Sequence, residues 1–277
     1  MASNPPKATL PILYSDLEPI TKEKHGNLKI KPLDKMPAAA NVHAVPVTVE
    51  EIPLLQRHYP VVFSAGDNMV PIVLMGLNEG ANAFLDKDGK PIDESIYLPG
   101  YLRRYPFMLA RMRQDQEDLT LCVDPTAGII GDFKDGEPLF DGDQPSEAIQ
   151  RVLKFCEGFE TGAQRTAAFV KELKDMDILM DGEVAIQPAG MEKPYVYRGF
   201  KMINEEKFRD LSGDKLRKMN QNGMLAIVMA HLFSLGQIRE VFTRQVRAGK
   251  GPVSVEELEG AGAEKPAAKK KAPAKKK

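Results

Sequence analysis

The chain has 277 residues, 43% of them apolar, with 38 basic and 39 acidic side chains, four histidines, two cysteines and no tryptophan. That is enough apolar sequence for a core, too few cysteines for a disulfide framework, and no window reaches the ~18 uninterrupted apolar residues of a membrane span. The net charge of −1 is a sum of opposites: residues 264–277 carry seven lysines and one glutamate, leaving 31 basic and 38 acidic residues in the remainder, a net of −7 that argues against nucleic acid as the ligand of the folded part.

The N-terminus, Met1-Ala-Ser-Asn-Pro-Pro-Lys7, lacks the basic start and apolar run of a secretory signal. Cys122 and Cys156 each lie in an apolar run, as reduced core thiols of a cytoplasmic protein do. A cytoplasmic location is the expectation. Residues 1–40 are Pro-rich and read as an extended N-terminal segment, in which Leu10–Tyr14 and Leu28–Pro32 can lie on the main sheet. Alternation over Asn41–Val47 marks the first strand and the start of a single domain at 41–248.

Thr48-Val-Glu-Glu51 has the capping-box spacing, so a helix over about 49–58 should follow, with Pro53 in its first turn. Val61–Ser64 and Val70–Met75 read as strands around an Ala65–Asn68 hairpin turn. Asn82–Leu85 reads as a further strand, closed by the turn Asp86-Lys-Asp-Gly89. That turn has no calcium-loop continuation, since Lys90-Pro91 follows the glycine.

Tyr97–Leu109 is the densest stretch. It holds three of the seven tyrosines, two prolines and the Arg103-Arg104 pair. Pro99 and Pro106 push Leu98 and Tyr105 away from helix, and the six residues between them have room for about one helical turn. Two readings fit: an anion or ligand clamp with aromatic walls, or a rigid corner whose side chains tie loops together. Phe107–Arg113 and Leu119–Val123 follow as strands around a polar turn at Gln114–Asp118, then short apolar pieces at Ile129-Ile130 and Pro138–Phe140.

The spacing of Ile149, Val152, Leu153, Cys156, Phe159, Ala163, Ala167, Val170 and Leu173 predicts a long amphipathic helix from about 145 to 175, with Pro145 at its first position and loosening near Gly158 and Gly162. Glu183–Ile186 and Tyr195–Ile203 read as strands, Glu205–Leu211 as a short helix capped near Asn204, and Ser212 as the cap of the last helical region. Met224–Phe233 is nearly continuous apolar sequence and reads as a fully buried helix, followed by a more polar one over Gln237–Ala248. Residues 249–277 read as a disordered Lys/Ala/Pro tail able to bind polyanions weakly. The fold class is therefore α+β: a largely antiparallel sheet packed by a long amphipathic helix and a buried C-terminal helix.

Reaction signatures are weak. His231, the one histidine inside a strongly apolar run, has Ser234 three residues on, but no third partner or glycine elbow. Its ordinary role is a buried ring hydrogen-bonded to backbone or to a tyrosine. No clustered metal ligands or phosphate-cradling loop occur, so no metal and no cofactor is expected. The candidate ligand-binding residues are Tyr97, Tyr101, Arg103, Arg104, Tyr105 and His231, for an unknown small molecule or protein.

Tyr59–Ser64, Pro71–Leu77, Asn82–Asp86, Leu121–Asp124, Pro138–Phe140, Tyr197–Phe200 and Ala230–Leu235, and above all Tyr97-Leu-Pro-Gly-Tyr-Leu-Arg-Arg-Tyr-Pro-Phe107, resemble the SapC-like family of bacterial proteins over about residues 40–245. The resemblance implies a link to surface-layer loci, from which the family takes its name, or to outer-membrane nutrient-receptor loci. It carries no catalytic residue or cofactor. The leading expectation is a non-enzymatic cytoplasmic binding or accessory protein linked to envelope or surface-layer systems. The alternative is an uncharacterised enzyme with a Tyr/Arg/His pocket, and a third reading is a scaffold held to anionic surfaces by the tail.

Overall fold

The computed structural model describes residues 10–112, 118–188, 192–255 and 258. A five-stranded sheet runs in the order Leu179–Ile186, Tyr195–Ile203, Val61–Ser64, Pro71–Leu74, Ala44–Pro46, and every neighbouring pair is antiparallel. A separate three-stranded sheet sets Thr120–Val123 between Glu18–Pro19 and Phe107–Ala110, again antiparallel. The fold class is thus α+β, with two principal sheets in place of one.

The helix Glu147–Asp175 joins them. At 29 residues it is roughly 43 Å long, enough to reach from one sheet to the other. Near its start Cys156 packs with Phe107, Leu109 and Val123 of the smaller sheet. Near its end Phe169, Val170 and Leu173 pack with Phe63 and Ile203 of the larger one. Ser146 caps it, its hydroxyl accepting from the Ile149 N–H, so Pro145 stands one residue outside, in a short strand with Gln144. The helix is continuous through Gly158 and Gly162.

Other elements differ from the sequence reading for local reasons. The helix after Thr48 shrinks to Ile52–Leu55, with Glu51 at its N-cap and Pro53 in its first turn as anticipated. Asn82–Leu85 is not a strand. The Asn82 side-chain oxygen accepts from the Phe84 and Leu85 N–H groups, and its amide donates to Ala39 and Val42, so the side chain replaces a ladder partner. A strand starts at Leu179, four residues earlier than its apolar run. Gly182 permits this, because a Cβ there would sit 2.1 Å from the Phe200 ring across the pair. Lys29–Ile30 pairs with Ile130–Gly131 and Glu137–Pro138 in a small sheet of its own rather than on a main one. The turn at Gln114–Asp118 and the lysine tail lie outside the described residues, apart from Asp118.

The described N-terminal residues enter the core: Tyr14, Met36 and Ala39 are buried, and the stretch includes a one-turn helix, Lys22–His25. The helix Met224–Ser234 is not fully buried but buried along one face, through Met224, Val228, Ala230, His231 and Ser234, while Phe233 is 65% exposed. Gln237–Arg247 follows and buries Ile238, Val241, Phe242 and Val246. No single helix among the described residues is long and apolar enough to cross a membrane. These last two pass that test only as a pair bent by 42°, and both are built into the core.

Candidate functional site

Pro99, with backbone angles of −52° and 140°, starts a single helical turn, Gly100–Arg104, and Tyr105 leaves it in extended geometry before a cis bond to Pro106. One turn presents Arg103 and Arg104 together to the long helix. Each guanidinium packs against two rings. Arg103 lies 4.7 Å from the Tyr97 ring and 5.2 Å from Phe155; Arg104 lies 4.7 Å from Tyr101 and 4.3 Å from Phe159. The tyrosines are four residues apart and so are the phenylalanines. The Tyr101 and Phe159 rings are themselves 6.4 Å apart and tilted by 58°, so Arg104 sits in the corner they form, a contact that arginine's planar group suits better than lysine's.

The carboxylates differ between the two arginines. Arg104 is buried, its Nη1 lies 3.4 Å from Glu160, and its Nε has no hydrogen-bond partner among the described residues. Arg103 donates to the Tyr97 hydroxyl and stands 3.8 Å from Glu51. Glu51 is the organising group. Its Oε1 accepts from the Gly100 N–H at 2.6 Å and from the Tyr97 hydroxyl at 3.0 Å. Its Oε2 accepts from the Thr48 N–H and hydroxyl, both at 3.3 Å. A carboxylate reaching back to Thr48 is what a capping box requires. Here its second oxygen also anchors the corner. Gly100 leaves the room, since a Cβ there would approach Glu51 Oε1 to 2.8 Å. The same Thr48 turn is clipped to the long helix, where the Val49 N–H donates to Thr166 at 3.0 Å.

Between the turn and the long helix lies a groove of about 480 Å³. Glu51, Gly100 and Arg103 form one wall; Phe155, Gly158 and Phe159 form the other. Arg151 and Lys154 add cations at the rim. Arg151 is paired with Glu137 at 2.7 Å, whereas Lys154 is exposed and has no carboxylate partner among the described residues. Burial, with the Glu51 charge adding to it, pushes the Tyr97 hydroxyl up to about 12, so the ring keeps its proton at neutral pH. Tyr101 is raised by burial too, against the opposing pull of Arg104. Burial likewise pushes the Cys156 thiol up to about 11.

Of the six residues singled out from sequence, four come together: Tyr97, Tyr101, Arg103 and Arg104. Tyr105 turns the other way, edge-on to Tyr14 at 5.3 Å, and burial raises its hydroxyl, with Asp124 adding. His231 lines none of this groove. It is fully buried beside Phe63, its Nδ1–H donating to the Val61 carbonyl at 2.8 Å and its Nε2 accepting from the Ile203 N–H at 3.2 Å. Ser234 accepts from the Val61 N–H at 2.9 Å, so the two side chains hold both backbone groups of one strand residue. Burial drives the imidazole down to about 4.

Glu51, Lys154, Phe155 and Phe159 were not singled out from sequence as site residues. Glu51 entered the sequence reading only as part of the capping box and Phe159 only as part of the apolar stripe of its helix, while Phe155 lies off that stripe. Among the described residues no group of three His, Cys, Asp or Glu side chains is placed to hold a metal ion.

Against known proteins, the family model described as SapC matches residues 20–241. No curated protein and no solved structure matches the chain.

Proposed function

The chain belongs to the SapC family, and for it we propose a non-enzymatic binding or accessory role in bacterial envelope or surface-layer systems, carried out in the cytoplasm, with the groove between the Gly100–Arg104 turn and the long helix as the ligand site. The observation that carries the binding role is the posture of Arg103. It is held against Tyr97 and Phe155 on the groove wall, prepared to meet a ligand without rearrangement. The neighbouring groups favour holding over reacting. Tyr97 keeps its proton to about pH 12, Glu51 has both oxygens occupied by donors, and among the described residues the lining contains no histidine, cysteine or serine. The envelope connection rests on family membership rather than on the groove.

The test is to purify the full chain natively, extract it, and identify the released small molecules by mass spectrometry beside a Phe155→Ala variant of matched melting temperature. Molecules held by the parent and lost from the variant support the role. Identical or empty extracts overturn it.

A further inference from the structure

Resting on the reading that this groove is the binding site, we infer that its ligand is a small organic anion with an apolar body, the charged group meeting Arg103 and Lys154 and the body lying over Gly158 against Phe155 and Phe159. Three independent observations converge on this class. The first is charge. Arg103, Arg151 and Lys154 face one carboxylate, Glu51, whose oxygens already accept from Thr48, Tyr97 and Gly100. Arg151 is neutralised by Glu137, and Lys154 by nothing among the described residues. The unmatched charge of the groove is positive.

The second observation is the helix wall. Phe155 and Phe159 are only partly buried although each carries a guanidinium against its ring. An inorganic anion would leave that apolar surface wet. A ligand with an apolar body covers it, and about 480 Å³ is the size of a small-molecule site.

The third is Gly158. It lies inside a 29-residue helix, where glycine is disfavoured against alanine. Neither packing nor backbone demands it: a Cβ there would meet nothing within 4 Å, and its φ is not positive. Its neighbour Gly162 is different, since a Cβ there would press on Thr48 at 3.0 Å. What the absent side chain at 158 does leave is a clear strip of the helix wall beside the two phenylalanines. An aromatic acid and an aliphatic chain acid share the required chemistry.

The test uses the full chain and two fluorescent probes of similar body: anilinonaphthalene sulfonate, which is anionic, and phenyl-naphthylamine, which is not. The expected result is one site that prefers the anionic probe by about tenfold, weakens by a similar factor in Lys154→Gln, and is lost in Gly158→Trp or Gly158→Leu with the thermal transition intact. Displacement by naphthoate then assigns the aromatic class, and displacement by dodecanoate the aliphatic one; displacement by neither overturns the inference. Equal affinity for both probes, each lost in Gly158→Trp, overturns the anion while leaving the groove as the site. Displacement by inorganic phosphate as strong as by naphthoate overturns the apolar body. Probe binding that ignores both substitutions at Gly158 overturns this inference and the binding site together.

Discussion

Glu51 sits where the Thr48 turn, the Tyr97 side chain and the Gly100 backbone meet, and it is the acceptor for all of them. Removing a buried acceptor strands its donors, which costs more than the bond itself contributed. Glu51→Ala is therefore expected to lose roughly 2–5 kcal/mol in urea unfolding; a loss under about 1 kcal/mol would mean the network is idle. His231 makes a different prediction, in pH. Burial holds the native ring down to about 4, against an ordinary imidazole value of about 6.5. Between those values the unfolded chain takes up a proton that the native ring refuses. Stability is then complete above about pH 6.5 and falls as pH drops toward 4, by up to about 3 kcal/mol. The groups against the ring, Val61, Phe63, Ile203 and Ser234, carry no charge that would offset this. Unfolding free energies of His231→Gln should change less with pH over this window than those of the parent; parallel curves would contradict the assignment.

At the level of helices and strands, two glycines test opposite physics. Gly158→Ala adds a methyl where nothing stands and removes backbone freedom from the unfolded chain, so it should gain about 1 kcal/mol. Gly182→Ala drives a methyl into the Phe200 ring and should lose about 1–3 kcal/mol. Thermal melts of both settle the pair, and a shared sign would contradict the packing. These elements also mark where the chain could be read in advance and where it could not. The strand at Val61 announces itself as a short apolar run, and the strand at Tyr195 and the long helix by periodicity. Leu179–Ile186 does not, because Asp181-Gly182-Glu183 interrupts its apolar pattern for the sake of one aromatic contact. Asn82–Leu85 misleads in the other direction, its apolar run hiding an amide that takes over the backbone donors. At the site, the tyrosines and arginines are dense enough to notice. Glu51 is concealed inside a motif that explains it locally, and Phe155 and Phe159 gain meaning only when a distant turn docks on their helix.

Across the whole molecule, the long helix fastens the smaller sheet to the larger, and the N-terminal residues close over the corner. The Tyr14 hydroxyl donates to the Phe107 carbonyl at 2.7 Å, and Tyr101 to the Ile12 carbonyl at 2.8 Å. Charge is divided on the same scale. Deleting residues 264–277 changes the net charge from −1 to −7, and should abolish salt-sensitive retention on heparin. Unchanged retention would move the polyanion contact onto the body. The paired arginines also have a bearing on assembly of the whole. Each arginine of the turn meets its own phenylalanine of the helix, Arg103 with Phe155 and Arg104 with Phe159, so the contact has two teeth. Were the turn to slide along the helix by one pitch, about 5.4 Å, one cation would lose its partner ring and one ring its cation. Docking at a single axial setting is thereby enforced by two neighbouring arginines, and a lone arginine could not tell one setting from the next.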